Sequence, residues 1–220
     1  MAHSHRYDGE MSQRHESPLR PEPRAELYLS GGGLGSRAHA WPAAIDWLAS
    51  REGGIALVSL ASADMVQAHS LHAVLSTCGQ RAEVIEDPLR DEPSASTLLL
   101  CGGDATLLAG DSERAALLRR WLDDATKTIV ADSASAMALG RRAASCTCGG
   151  HPIRVIDGMD LLGGFSVLAH ASGREDVRLA ALGGGPLLAL PTASSVRWSG
   201  GVPIDASWSK RGAITVLGDR

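Results

Sequence analysis

An α/β fold, with a mostly parallel sheet flanked by helices on both faces, is predicted by three observations. Short apolar runs alternate with longer amphipathic stretches from Ala25 onward. Runs such as Ile55–Leu60 and Thr97–Cys101 are nearly free of polar residues, as strands covered on both faces are. Glycines close two of the runs, at Gly31-Gly32-Gly33 and Gly102-Gly103. Strands alternating with helices imply parallel pairing through right-handed crossovers.

The elements follow in order. Residues 1–24 carry Pro18, Pro21, Pro23 and three histidines but few aliphatic residues, so they are expected to form a disordered tail. His3, His5 and His15 could touch a metal, but a solvated tail is the better account of them. Residues 25–220 are expected to form a single α/β domain. Glu26–Ser30 is a strand, and Ala38–Ser50 has helical periodicity at Trp41, Ile45 and Leu48. Ile55–Leu60 is a strand, Met65–Thr77 a helix stopped by Gly79, and Ala82–Glu86 a strand. Thr97–Cys101 is a buried strand. Ser112–Asp124 is a helix that Ser112 can cap, with Leu117, Leu118 and Trp121 facing inward. Thr128–Ala131 and Ala134–Arg142 are the next strand and helix. After Gly149 the chain reads as short strands (Ile153–Ile156, Ser166–Ala169, Leu187–Leu190, Ser194–Trp198, Ala213–Leu217) joined by Gly-rich turns. These are expected to extend the sheet edge as antiparallel hairpins.

Composition narrows the function. The 220 residues are 44% hydrophobic and 21% charged, enough for a packed core. With 21 basic and 25 acidic residues the net charge is −4, which argues against a nucleic-acid partner. One Phe and two Tyr leave little for base stacking. No apolar run reaches the ~18 residues of a membrane span, and the first 24 residues lack a signal-like core. A cytoplasmic protein without a membrane partner is expected. Cys78, Cys101, Cys146 and Cys148 are too few and too irregular for a disulfide scaffold. The Cys146-Thr147-Cys148 spacing is tighter than a zinc knuckle, and only His151 stands nearby. No metal site is expected.

Ligands of such folds collect at the carboxyl ends of strands, and three strand ends stand out. Gly31-Gly32-Gly33-Leu34-Gly35 leaves backbone N–H groups bare around Gly32, which suits an oxyanion or serves simply as a tight turn. It is not a dinucleotide fingerprint, because the third glycine would fall at Ser36 or Ala38. Gly102-Gly103-Asp104-Ala105-Thr106 follows a buried strand, with Asp104 or Thr106 placed to cap the next turn. Third, Ile129–Asp132 passes into the small-residue helix at Ser133. A serine there either exposes its hydroxyl on a sharp turn as a nucleophile or caps the helix. A nucleophilic serine needs a base. His170, 37 positions later at another strand end, could supply it or be structural.

Taken together these stations resemble the peptidase E (α-aspartyl dipeptidase) and cyanophycinase family of serine peptidases. The resemblance rests on the Gly-rich loop after Leu29, on Gly102–Leu108, on Ala131-Asp132-Ser133-Ala134-Ser135-Ala136, and on Asp157–Gly164 leading to His170. It spans about residues 26–200 and implies a class I glutamine-amidotransferase-like fold. It also implies a Ser133 nucleophile, a His170 base, and an oxyanion hole from backbone N–H groups of Gly103 or its neighbour and of Ala134. Such donors are commonly worth ~3 kcal/mol each in the transition state. No metal or organic cofactor is required.

The chain departs from the family pattern at defined positions. Ala131 and Ser135 replace both glycines of the nucleophile motif, each adding a Cβ. Met137–Pro152 contains no acid where the family has its orienting carboxylate, and Leu190-Pro191 is followed by Thr192 where the family has Glu. Losing an orienting acid can cost ~10⁴ in rate. The nearest carboxylates are Asp157 and Asp160, which become the candidate orienters along with a backbone carbonyl. Arg141, Arg142 and Arg154 could meet a substrate carboxylate or simply be exposed. The expected function is cleavage of an amide in a small peptide or peptide-like substrate. The alternatives are a degenerate binding protein for a peptide or small acid, and a Ser-enzyme acyl transferase. A homodimer is compatible with these readings.

Overall fold

The computed structural model describes residues 24–37, 41–144, 154–171, 182–183, 185–210, 212 and 214–216. The expected tail (apart from Arg24) and the Cys146–Cys148 pair lie outside them. Among the described residues seven strands form the main sheet, in the order β11 (Val202–Asp205), β10 (Ser195–Ser199), β1 (Glu26–Ser30), β5 (Thr128–Asp132), β4 (Thr97–Leu100), β2 (Ile55–Val58) and β3 (Ala82–Ile85). Its parallel part comprises β1 (Glu26–Ser30), β2 (Ile55–Val58), β3 (Ala82–Ile85), β4 (Thr97–Leu100) and β5 (Thr128–Asp132). Register runs Leu29↔Ala131 and Ser30↔Asp132 between β1 and β5, and Leu100↔Ala131 between β4 and β5. The carboxyl ends of β1, β4 and β5 therefore share one rim.

The helices are α1 (Leu34–Arg37), α2 (Pro42–Ala49), α3 (Val66–Thr77), α4 (Ala105–Ala109), α5 (Ser112–Asp123) and α6 (Ala134–Leu139). They cover both faces of the sheet. One core cluster packs Leu27, Leu29, Val58, Leu98, Leu100 and Ile129 against α5 and α6 through Leu117, Leu118, Trp121 and Met137. The other packs Ile55, Leu57, Leu99 and Val130 against α2 and α3 through Ile45, Leu48, Leu71 and Leu75. Alternation of side chains across each strand divides the two clusters. Trp41, Trp47 and Trp208 gather beside Tyr28 in the second cluster, with Trp47 and Trp208 stacked at 5.1 Å.

Several boundaries and one cap differ from the sequence reading. α5 is capped by Asp111, whose Oδ1 accepts from the N–H groups of Glu113 and Arg114, and Ser112 is already helical. The helix expected over Ala38–Ser50 starts only at Pro42, where proline supplies a ready-made first turn. The helix expected to run to Arg142 stops at Leu139, and β6 (Arg142–Ala144) follows.

The last third also corrects the expected single edge. β10 (Ser195–Ser199) and β11 (Val202–Asp205) do extend the main sheet with antiparallel pairing. β7 (Val155–Asp157) instead pairs with β6 as a two-stranded sheet among the described residues. β8 (Ser166–Ala169), β9 (Leu187–Leu190) and β12 (Ile214–Val216) form a separate three-stranded sheet, with β8 and β9 parallel. No helix among the described residues is long and apolar enough to cross a membrane.

Candidate active site

The glycine loop after β1 organises the site. Gly31 donates its N–H to Ser194 O at 2.9 Å, and Gly31 O accepts from His170 N at 2.9 Å. Gly32 O accepts from Ala193 N at 3.1 Å. Two segments, one at His170 and one at Ala193-Ser194, are thus sewn to two residues. The approach is close enough that a Cβ on Gly31 would lie 2.1 Å from Pro191 O, and only glycine fits.

Ser133 follows β5 and stands at the N-cap of α6 with φ 53° and ψ −111°. That conformation is costly for a non-glycine residue. Its N–H donates to Ser30 O at 3.0 Å, which fixes the turn to the end of β1. The hydroxyl makes no capping bond to α6. It lies 2.8 Å from His170 Nε2 instead. In the tautomer that leaves Nε2 bare, Ser133 donates to it, and Nδ1–H points to Thr192 Oγ1 at 3.1 Å. His170, with φ 54°, is exposed and follows β8, so the imidazole arrives from the small sheet rather than from the main rim.

Gly32 lies beneath this ring. With φ +102° it takes a conformation that L side chains rarely adopt, and a Cβ there would sit 2.2 Å from His170 Cε1. Its N–H donates to Ser30 Oγ at 3.2 Å. Gly32 therefore seats the His170 ring. Gly102 approaches Ser133, since a Cβ on it would lie 3.1 Å from Ser133 Cβ. Gly103, at φ +145°, presses on Ala61 O. Asp104 caps α4 by accepting from Thr106 N at 2.9 Å, and its own N–H donates to Ala61 O at 2.6 Å. Ala134 is fully buried at the start of α6.

Asp157 and Asp160 are placed elsewhere. The N–H groups of Gly158, Met159, Asp160 and Leu161 donate to the carbonyls of Arg141, Ala138, Gly140 and Leu139. The Asp-Gly segment thus satisfies the carbonyls that the end of a helix leaves unpaired. Asp160 Oδ1 accepts from Gly164 N at 3.2 Å, and Asp157 pairs in register with Arg142. Both carboxylates sit at the carboxyl end of α6, whereas Ser133 begins it. Nδ1 of His170 meets the Thr192 hydroxyl. Arg142 Nη1 donates to Leu182 O at 3.0 Å.

Two departures from the family pattern are absorbed by packing. Ala131 is fully buried in the core. Ser135 Oγ donates to Cys101 O at 2.6 Å, tying α6 to the end of β4. Burial pushes the Cys101 thiol up to about 12, which suits the core role expected of it.

Sequence reading missed two polar neighbours. Asp132 is fully buried, with Oδ1 accepting from Ser30 Oγ at 2.6 Å. Burial pushes its carboxyl up to about 6, while Ser30 and the N–H groups of Leu34 and Gly35 pull it partly back. Its place beside the candidate serine, at a strand end, was the available signal. Gln67 on α3 reaches the same rim: the Cβ position of Gly102 that lies 3.1 Å from Ser133 Cβ lies 3.3 Å from Gln67 Oε1. No motif marks Gln67. A cavity of about 350 Å³ lies at the amino end of β1, lined by Arg24, Glu26, Arg197 and Trp198, away from Ser133. No group of three metal-ligating side chains occurs among the described residues.

No protein-family model matches the chain, and no curated protein matches it in sequence. Solved structures do share its fold. A peptidase from an acI-B1 Actinobacterium superposes with a TM-score of 0.59 at 13% identity, covering 90% of this chain and 97% of that one. A candidate peptidase E protein from Listeria monocytogenes EGD-e gives a TM-score of 0.55 at 14% identity, covering 89% and 99%. The chain thus has a peptidase-like α/β fold along nearly its whole length.

Proposed function

We propose that this protein is a serine hydrolase that cleaves an amide bond in a small peptide or peptide-like substrate. The observation that carries the reading is the 2.8 Å contact between Ser133 Oγ and His170 Nε2 on a strained strand-to-helix turn. Ser133 Oγ attacks the carbonyl carbon as Nε2 takes its proton. The C–N bond then breaks, and His170 returns that proton to the departing amine. Water, deprotonated by the same nitrogen, releases the acyl group from Ser133.

The developing oxyanion is received by backbone N–H groups. Ala134 lies in the first turn of α6, where amides have no intrahelical acceptor. Across the turn the Asp104 amide is engaged by Ala61 O, which leaves the N–H groups of Gly102 and Gly103 as the candidate donors on that side. The Thr192 hydroxyl accepts from Nδ1–H and holds the imidazole in the tautomer that the attack needs. The same arrangement also serves, as a second reading, a binding protein that keeps the pocket without turnover.

Incubation with a fluorophosphonate probe separates the two. Covalent labelling of the native chain that is abolished in Ser133→Ala and at least hundredfold slower in His170→Ala supports the hydrolase. Equal labelling of native and Ser133→Ala chains, or none in either, removes it.

A further inference from the structure

Beyond the reacting pair, we propose that Asp132 is a positioning residue. Its buried carboxylate, acting through Ser30 and the glycine loop, fixes where the His170 imidazole stands relative to Ser133. The catalytic meaning of this rests on the hydrolase reading above, whereas the geometric linkage does not.

The linkage can be traced bond by bond. Ser30 and Asp132 are register partners at the ends of β1 and β5, and Ser30 Oγ donates to Asp132 Oδ1 at 2.6 Å. The same hydroxyl accepts from Gly32 N at 3.2 Å. The N–H groups of Leu34 and Gly35 also turn toward the carboxylate. One acidic group thus gathers Ser30, Leu34 and Gly35 directly, and Gly32 through Ser30. That loop carries His170 through Gly31 O and supports the ring through Gly32. Asp132 also precedes the nucleophile directly, so both partners of the 2.8 Å contact hang from its immediate surroundings.

The residue is otherwise hard to justify. A carboxylate wholly removed from water is costly unless several donors meet it, and an aliphatic residue would pack this strand end without that cost. A buried polar knot does, however, specify one arrangement of the groups tied to it. Among the described residues the titratable group acting across this knot is Cys101 on the strand beside β5, and its thiol, pushed up to about 12, stays neutral at working pH.

The test uses the full chain and two variants, Asp132→Asn and Ser30→Ala. Neither touches the imidazole. Nitrogen–proton correlation spectra report the His170 ring, and fluorophosphonate labelling of Ser133 is followed from pH 5 to 9. Positioning predicts that both variants, folded by circular dichroism, show displaced His170 ring signals. It also predicts at least a tenfold fall in labelling rate and, in Asp132→Asn, an acid limb displaced from its native position. Folded variants with native ring signals and a native pH profile overturn the proposal, even where their melting temperature has dropped. If Asp132→Asn does not fold, Ser30→Ala decides by the same criteria. A native chain that never labels refutes the hydrolase reading alone, since the ring signals still decide whether Asp132 places the imidazole.

Discussion

Replacing Gly32 with alanine should disable the reactive pair while leaving the fold in place. The new Cβ would stand 2.2 Å from His170 Cε1 and 2.6 Å from Nε2. Ordinary carbon–carbon contact needs about 3.5 Å, so the ring must retreat by roughly 1 Å or the loop must shift by as much. The loop is held at Gly31 N, Gly31 O and Gly32 O by backbone hydrogen bonds of 2.9–3.1 Å, whereas the imidazole is a side chain at an exposed position. The ring therefore yields. A displacement of about 1 Å at a reacting atom can cost ~10²-fold in rate. The positive φ adds a strain of order 1 kcal/mol, which lowers stability without touching the chemistry. Gly163→Ala separates these effects, since Gly163 has φ +58° with nothing within 4 Å of its added Cβ. Fluorophosphonate labelling rates and melting temperatures of both variants make the assay. Gly32→Ala should label about a hundredfold more slowly and Gly163→Ala at the native rate, with similar losses of stability. Native labelling in a folded Gly32→Ala chain would refute the claim that this glycine seats the base.

Three further outcomes follow from the same geometry. Thr192→Val removes the hydroxyl 3.1 Å from Nδ1. A neutral hydrogen bond is worth about 1 kcal/mol, so labelling should slow roughly fivefold, and a loss beyond a hundredfold would mean that Thr192 does more than hold a tautomer. Asp132 favours its protonated form in the fold, with a carboxyl raised from 3.8 to about 6. The folded state therefore binds more protons than the unfolded one between those values, and the stability this group contributes falls as pH rises through that window, by up to about 3 kcal/mol. In urea unfolding at pH 4 and pH 7, Asp132→Asn should gain on the native chain at the higher pH; a difference independent of pH would contradict the burial argument. Gln67→Ala should raise KM for a peptide substrate severalfold with little change in fluorophosphonate labelling, because its amide and Ser133 Cβ border the same point beside Gly102. Equal KM values would remove Gln67 from the binding surface.

The parallel half of the fold was legible because its strands are uniformly apolar and its helices periodic. Glu26–Ser30 and Ser166–Ala169 match their expected bounds residue for residue. The separate three-stranded sheet was not legible, since a buried strand carries no record of which neighbour covers its edge. The same limit applied to the site. Ser133 and His170 could be picked out as a nucleophile and a base at strand ends, and their side chains do meet. The Thr192 contact at Nδ1 could not be read from residues near in sequence, because Thr192 arrives on a turn between β9 and β10. Asp157 and Asp160 stood out as the carboxylates nearest in sequence, yet the backbone they belong to closes the end of α6. Ser112 beside Asp111 shows the same ambiguity on a smaller scale, as either residue type can cap a helix and only the backbone decides.

Ser133 belongs to one sheet and the His170 imidazole to another, and Gly31 O is a shared fastening between them. A seam of this kind can part by local opening at far lower cost than global unfolding. Any event that lifts β8 from the glycine loop would separate Ser133 from His170 with the main sheet intact, and hydrogen exchange at the His170 amide would time that opening.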